Sequence, residues 1–88
     1  MNIKRHPDFK KHYKQRIASN PKLVKKTAER LKLFQENPLN PTLKDHQLRG
    51  DKVDLRAFSV TGDIRIVYLP LSEDEVLLLD IGSHNQVY

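Results

Sequence analysis

The sequence predicts an α+β fold: an N-terminal helical hairpin packed on a small antiparallel β-sheet. Three observations carry this reading. Apolar residues recur at helical spacing from Phe9 to Phe34, and alternating or β-branched runs fill Val53 to Ile81. Asn-Pro steps and Gly/Asp clusters mark the boundaries between them.

Asn2–Arg5 reads as a short first strand. Pro7 suits the first turn of a helix, where its missing N–H costs nothing. Phe9, Tyr13 and Ile17 then fall at i, i+4 and i+8, the stripe of a first helix. Lys10, Lys11, Lys14 and Arg16 lie largely off it. Asn20-Pro21 restarts the pattern as N-cap and first helical residue. Leu23, Val24, Thr27, Leu31 and Phe34 form the second stripe, and Asn37-Pro38 stops it. A Pro-interrupted connection, PLNPTLKDHQLRG, leads to three strands: VDLRAFSV (Val53–Val60), IRIVYLP (Ile64–Pro70) and VLLLDI (Val76–Ile81). Thr61-Gly62-Asp63 and the acidic Ser72–Glu75 are the turns, Gly82 ends the last strand, and SHNQVY is a short tail.

A two-residue loop at Thr61-Gly62 would set Phe58 opposite Arg65 and Arg56 opposite Val67. One face then gathers Val53, Leu55, Ala57, Ile64, Ile66 and Tyr68 for the helices. The other gathers Asp54, Arg56, Phe58, Arg65, Val67 and Leu69, a mixed face that needs water or a ligand. A one-residue slip reverses the assignment for one strand. The same logic across Ser72–Glu75 brings Arg65 near Asp80, and Arg65, His84 and Tyr88 to one end of the open face.

The chain has 88 residues, which predicts one domain with no room for a second core. Apolar residues are 38% and charged residues 31%, as in a globular domain. With no cysteine there is no disulfide framework, thiolate metal site or Cys nucleophile. No apolar run approaches a signal peptide or a membrane span, so no membrane partner is expected and the cytoplasm is the expected location. The net charge of +5 is uneven. Residues 1–50 carry 13 Lys/Arg against 4 Asp/Glu, a net +9; residues 51–88 carry 3 against 7, a net −4. A basic half suits a polyanion, although a solvated helix face has the same composition.

Cleaving RNA through its own 2′-hydroxyl needs a base, a cation for the developing phosphorane charge, and an acid for the departing 5′-oxygen. His, Arg and Tyr suffice without a metal or other cofactor. His84 lies just past a buried strand in a polar context, as catalyst or as surface histidine; an unperturbed imidazole titrates near ~6.5. Arg65 either holds a phosphate or pairs with Asp80, and Arg56 has the same two readings. His46 either reaches that end of the sheet or is a loop histidine. Tyr88 either stacks a base and passes a proton or is a frayed terminus. His6 and His12 read as ordinary helix residues, and no His/Asp/Glu spacing has the form of a known metal site.

Three stretches carry a resemblance: KDHQLRG (Lys44–Gly50), GDIRIVY (Gly62–Tyr68) and IGSHNQVY (Ile81–Tyr88). Together they resemble the RelE/ParE superfamily of toxin–antitoxin modules, and within it the YafQ-type ribonucleases. There a KDH-x-L-x-G loop precedes the sheet, and an ending of the form [ST]-H-x-x-[LV]-[FY] supplies a catalytic histidine and a terminal aromatic. The resemblance implies catalytic roles for His46, Asp63, Arg65, His84 and Tyr88 and a RelE-like fold; Lys44 and, on the mixed sheet face, Arg56 and Phe58 are the expected RNA contacts. It implies a metal-independent endoribonuclease acting on mRNA at the ribosome, and a cognate antitoxin protein as partner. YafQ-like proteins often carry a second sheet histidine where this chain has Ser59. A ParE-like topoisomerase inhibitor without nuclease activity and a catalytically inactive antitoxin- or RNA-binding module are the competing readings.

Overall fold

Capping side chains start both long helices. The computed structural model describes residues 1–88. Strand β1 (Asn2–Arg5) leads into helix α1 (Pro7–Arg16), where His6 Nδ1 accepts the Asp8 N–H at 3.0 Å. Helix α2 (Pro21–Glu36) starts where Asn20 Oδ1 accepts the N–H groups of Lys22 and Leu23. These caps satisfy amides that the first turn leaves without partners. Helix α2 ends at Asn37, extended ahead of Pro38 as the pre-proline restriction requires. The remaining elements are β2 (His46–Gln47), β3 (Arg56–Ser59), β4 (Ile64–Ser72), β5 (Glu75–Ser83) and a one-turn helix α3 (His84–Val87).

The five strands form one sheet in the order β1-β5-β4-β3-β2. The expected antiparallel pairing holds except at one edge, where β1 runs parallel to β5. Parallel neighbours need a long crossover, and everything from α1 to β4 serves as one here. Strand β2 and helix α3 fall in stretches whose sequence reads as connection and tail. Strand β3 starts at Arg56 rather than Val53, because Gly50–Lys52 forms a 3₁₀ turn that leaves Val53 exposed.

The β3–β4 register corrects the two-residue turn. Ala57 faces Val67, Phe58 faces Ile66 and Ser59 faces Arg65. The turn holds three residues: Val60 and Thr61 both donate N–H bonds to the Ile64 carbonyl. Thr61 Oγ1 accepts from the amides of Asp63 and Ile64, which stabilises the longer loop. One added residue leaves Ile66 and Tyr68 facing the helices as expected, but reverses β3. Phe58 and Val60 are core, and Ala57 turns to the opposite face.

The main core lies between the helices and the sheet. Phe9 from α1, Ile17 at its C-cap and Phe34 from α2 meet Phe58, Val60, Ile66, Tyr68, Val76, Leu78 and Ile81. Phe34 stacks on Phe58 with centroids 4.5 Å apart, and Tyr68 meets Phe34 edge-on at 4.9 Å. Helix α1 runs past the end of the β1–β5 pairing, and from there His12 Nδ1 and Arg16 reach the Asp80 carboxylate at 2.6 and 3.3 Å. Asp80 is thus a partner of α1 and not of Arg65, which lies opposite Gly82. A second, smaller core occupies the other face: Leu48, Ala57, Val67 and Val87, with Leu55 against it.

Two substitutions test this packing. Phe58→Ala should cost ~3–5 kcal/mol in denaturant unfolding, as for a buried aromatic; a loss below ~1 kcal/mol would return Phe58 to the open face. Thr27 is buried with its Oγ1 unpartnered. Thr27→Val should therefore raise stability by about 1 kcal/mol, since an unsatisfied buried hydroxyl is a net cost.

Candidate active site

The second core positions two remote segments. Leu48 belongs to the segment that carries His46, and Val87 belongs to α3, which carries His84 and Tyr88. Both bury against Ala57 and Val67, so the ends of the two segments meet over the outer face of the sheet. The spacing Ser83-x-x-Gln86 helps turn the chain into α3: the Ser83 N–H donates to Gln86 Oε1 at 2.8 Å. Gly82 permits this. A Cβ there would lie 2.6 Å from Gln86 Oε1 and 2.7 Å from an Arg16 guanidinium nitrogen.

His84 and Tyr88 are i and i+4 on one turn, which sets them side by side. Their rings meet edge-to-face with centroids 4.5 Å apart. His46 approaches the same ring from β2, with Nε2 3.5 Å from the Tyr88 hydroxyl. His46 Nδ1 lies 3.0 Å from the Lys44 carbonyl. A carbonyl only accepts, so Nδ1 carries the proton and the neutral ring presents its Nε2 lone pair toward Tyr88. Burial pushes the Tyr88 phenol up from its ordinary value, and Arg65 beside it pulls the other way. The net rise keeps Tyr88 protonated, a proton donor rather than a phenolate. Lys52 Nζ donates to the Tyr88 carbonyl at 3.3 Å, tying the C-terminal residue down. His46, Arg49, Lys52 and Tyr88 line an open cleft of about 380 Å³.

The structure therefore gathers His46, His84, Tyr88 and Arg65 around one phenol ring. Lys44 lies on the other side of Arg65, with Arg30, in a separate cleft. Asp63 is exposed at the β3–β4 turn and is not among the residues lining the His46–Tyr88 cleft. Two sequence-predicted RNA contacts are corrected. Phe58 is 0% exposed, so its ring has no free face for a base. Arg56 lies opposite Tyr68, toward the helices, and is committed to Asp45 with Nε–Oδ1 2.7 Å. Arg49 and Lys52 are cations the sequence reading missed; their signal was their position just after His46 in LRGDK.

Asp45 was also missed. Its side chain is 7% exposed and takes two donors, Arg56 Nε and the Tyr68 hydroxyl. It sits between Lys44, which adopts the left-handed conformation (φ 51), and His46. Buried between two donors, it anchors the turn that delivers His46. The Asp45 hydrogen bond, offset in part by burial, raises Arg56 further above its ordinary value. Burial first, then the Asp45 carboxylate, pushes the Tyr68 phenol far above the ordinary tyrosine value.

The family model for the bacterial toxin of the type II toxin–antitoxin system, YafQ, matches residues 1–88. The chain belongs to the YafQ toxin family. Its fold agrees. YafQ from E. coli strain BL21(DE3) superposes with a TM-score of 0.82 at 22% identity, over 99% of this chain and 97% of that one. A metal-bound toxin from Helicobacter pylori gives 0.79 at 29% identity, over 100% and 99%. A YoeB/ParE toxin from Agrobacterium tumefaciens gives 0.78 at 18% identity, over 96% and 99%. A search of curated protein sequences finds no match. Whatever holds the metal in the Helicobacter pylori toxin, this YafQ-family chain brings no three His, Asp or Glu side chains together in a group that could hold one. No helix is long and apolar enough to cross a membrane.

The Asp45 anchor has a pH signature. A phenol whose folded-state pKa is raised stays protonated after the unfolded chain has ionised, near pH ~10. Its contribution is complete below that value and is lost as pH rises through the folded-state value. Tyr68→Phe should be less stable than the parent by ~1.5–3 kcal/mol at pH 8, having lost a hydrogen bond to a charged group. The two denaturant midpoints should converge as pH climbs past ~10. A constant gap across that range would show that Tyr68 does not hold its proton.

Proposed function

We propose that the protein is an endoribonuclease that cuts mRNA by attack of the 2′-hydroxyl on the adjacent phosphorus. The observation that carries this reading is the convergence of two imidazoles, a protonated phenol and a guanidinium on one exposed ring of a basic chain. The 2′-oxygen loses its proton to a base, bonds to phosphorus, and expels the 5′-oxygen, which takes a proton. The products are a 2′,3′-cyclic phosphate and a 5′-hydroxyl. His46, whose Nε2 lone pair meets only the Tyr88 hydroxyl at a long 3.5 Å, is suited to be the base once substrate displaces that contact. His84 and Tyr88 are suited to protonate the leaving oxygen and to pack against a neighbouring base. Arg65 is suited to neutralise the equatorial oxygens of the phosphorane. The substrate is translated mRNA in the ribosome and the setting is the cytoplasm; the family resemblance supports both. Solved complexes of DinJ with YafQ support a cognate antitoxin for this chain too. An extended acidic segment laid over the Arg49, Lys52 and Arg65 surface would neutralise it and cover the cleft.

Induction of the chain without a partner, with 5′ ends mapped on cellular mRNA, is the test. Growth arrest with new ends inside coding sequences is expected, relieved by co-expression of the antitoxin. Arrest with intact transcripts would remove the nuclease and favour a topoisomerase-directed toxin. His84→Gln should lose ~10²–10⁴-fold in cleavage rate. Because His84 is exposed, its thermal midpoint should correspond to a change within ~0.5 kcal/mol. An unchanged rate would make His84 a bystander.

A further inference from the structure

We propose that Arg30, Lys44 and Arg65 form a second phosphate site, which takes an RNA phosphodiester neighbouring the one held at His46, His84 and Tyr88. The inference rests on the reading of the substrate as RNA. A cleft of about 280 Å³ opens beside Arg65, lined by these three cations with Ser59 and Thr61 and by no apolar side chain. One water occupies roughly 30 Å³ in the liquid, so the space admits a sugar-phosphate unit rather than a lone solvent molecule.

The three cations come from three elements: α2, the turn before β2, and β4. None is within ion-pair distance of a carboxylate, whereas Lys4, Arg16 and Arg56 each have one. Asp63, in the adjoining turn, pairs with none of them. Like charges sharing a cleft repel, so the arrangement has to be held by the fold. Arg30 donates from one guanidinium nitrogen to the carbonyls of Thr42 and Ser59, at 3.0 and 3.3 Å. Arg65 likewise uses one nitrogen for Ser59 Oγ and the Thr61 carbonyl, at 2.8 and 3.1 Å. Each fork is oriented by those bonds through one nitrogen and keeps further N–H donors, the geometry that recognises phosphate oxygens.

A purely structural role would be complete with those carbonyl bonds and would not require Lys44. Yet Lys44 adopts the left-handed conformation without being glycine, and its ammonium bonds to nothing in the protein. Lys44 lines this cleft, at the left-handed end of the Pro41–Leu43 3₁₀ turn. Arg65 is common to both sites: it lies opposite Gly82, at the end of β5 that leads directly into His84 and α3. A single strand crossing Arg65 would engage one phosphate on each side.

The test uses the full chain and a short labelled single-stranded RNA, 2′-O-methylated throughout so that it has no nucleophile. Affinity is followed from about 50 to 200 mM salt, where each neutralised phosphate of a single strand contributes ~0.7 to the slope of log affinity against log salt. The double variant Arg30→Gln/Lys44→Asn should lower that slope by about 0.7. Asparagine tolerates the left-handed conformation, so Lys44→Asn alone should weaken binding with an unchanged thermal midpoint. Arg30→Lys restores charge but not the paired carbonyl bonds, and should recover most of the slope. Lys22→Gln/Lys25→Gln, on the exposed side of α2, should leave it unaltered. If the parent binds and cleaves RNA but the double variant keeps the full slope, or the α2 control loses as much, the second site is wrong and the nuclease reading stands. If Arg30→Lys behaves as Arg30→Gln, the arginine is structural and the site is wrong. A parent with no salt-dependent RNA binding overturns both.

Discussion

The four residues Leu48, Ala57, Val67 and Val87 hold the candidate site together. A small sheet needs only one covered face to fold, and the helices already cover one. Burying a second apolar cluster on the outer face serves a different end: it pulls the last turn of the chain onto the segment after β2. Ala57 makes this possible. It lies opposite His46 in one pairing and opposite Val67 in the other, and it is fully buried. A larger side chain there would prise Leu48 and Val87 apart, and the His46 and Tyr88 rings with them. The candidate site residues, drawn from both ends of the sheet region, thus depend on a cluster containing none of them.

A second constraint acts on the His46 side alone. Asp45 is a buried carboxylate, and such a group is tolerable only when its lone pairs are satisfied. Arg56 and Tyr68 do this from adjacent strands. The cost of breaking either contact holds the turn in place, with Lys44 left-handed on one flank and His46 on the other. Lys44 and His46 consequently serve different clefts although only one residue separates them. The same anchor explains why Arg56 is not a free cation. Its charge is used to keep another residue's carboxylate buried.

Periodicity made the helices legible. The stripes at Phe9, Ile17, Thr27 and Phe34 are core positions, and Asn20-Pro21 and Asn37-Pro38 bound α2 where they were expected. Strand β4 was legible for the same reason. Strand β3 was not, because its faces depend on one turn residue and both candidate faces hold an apolar set. Ala57 and Phe58 are each hydrophobic enough to be core, so the alternation alone could not say which side the helices cover. Helix α3 escaped notice because four residues are too few for a period, yet Ser83-x-x-Gln86 is a capping signal and Val87 an apolar anchor within it. The direction of β1 depends on a crossover spanning most of the chain, which no local pattern reports. Residue types for the site were legible from the His46, Arg65, His84 and Tyr88 stretches. Their partners were not: Asp80 pairs with α1, and Asp45 carries a role its neighbours in KDHQLRG do not advertise.

The uneven charge now has a spatial meaning. The acidic groups of the second half include Asp80 and Glu75, both occupied by cations from the first elements of the chain. Asp45 is occupied by Arg56. The charged side chains that line the two clefts are all cations: Arg49 and Lys52 beside Tyr88, and Arg30, Lys44 and Arg65 in the second cleft. No carboxylate side chain lines either cleft, so the charge there is positive although the net charge of the chain is modest. A polyanion approaching that face meets fixed donors rather than mobile side chains, because Arg30 and Arg65 are already tied to the backbone. Preorganisation of this kind lowers the ordering cost of binding a flexible strand. The same fixed donors would serve an acidic segment of a partner protein laid over that face equally well.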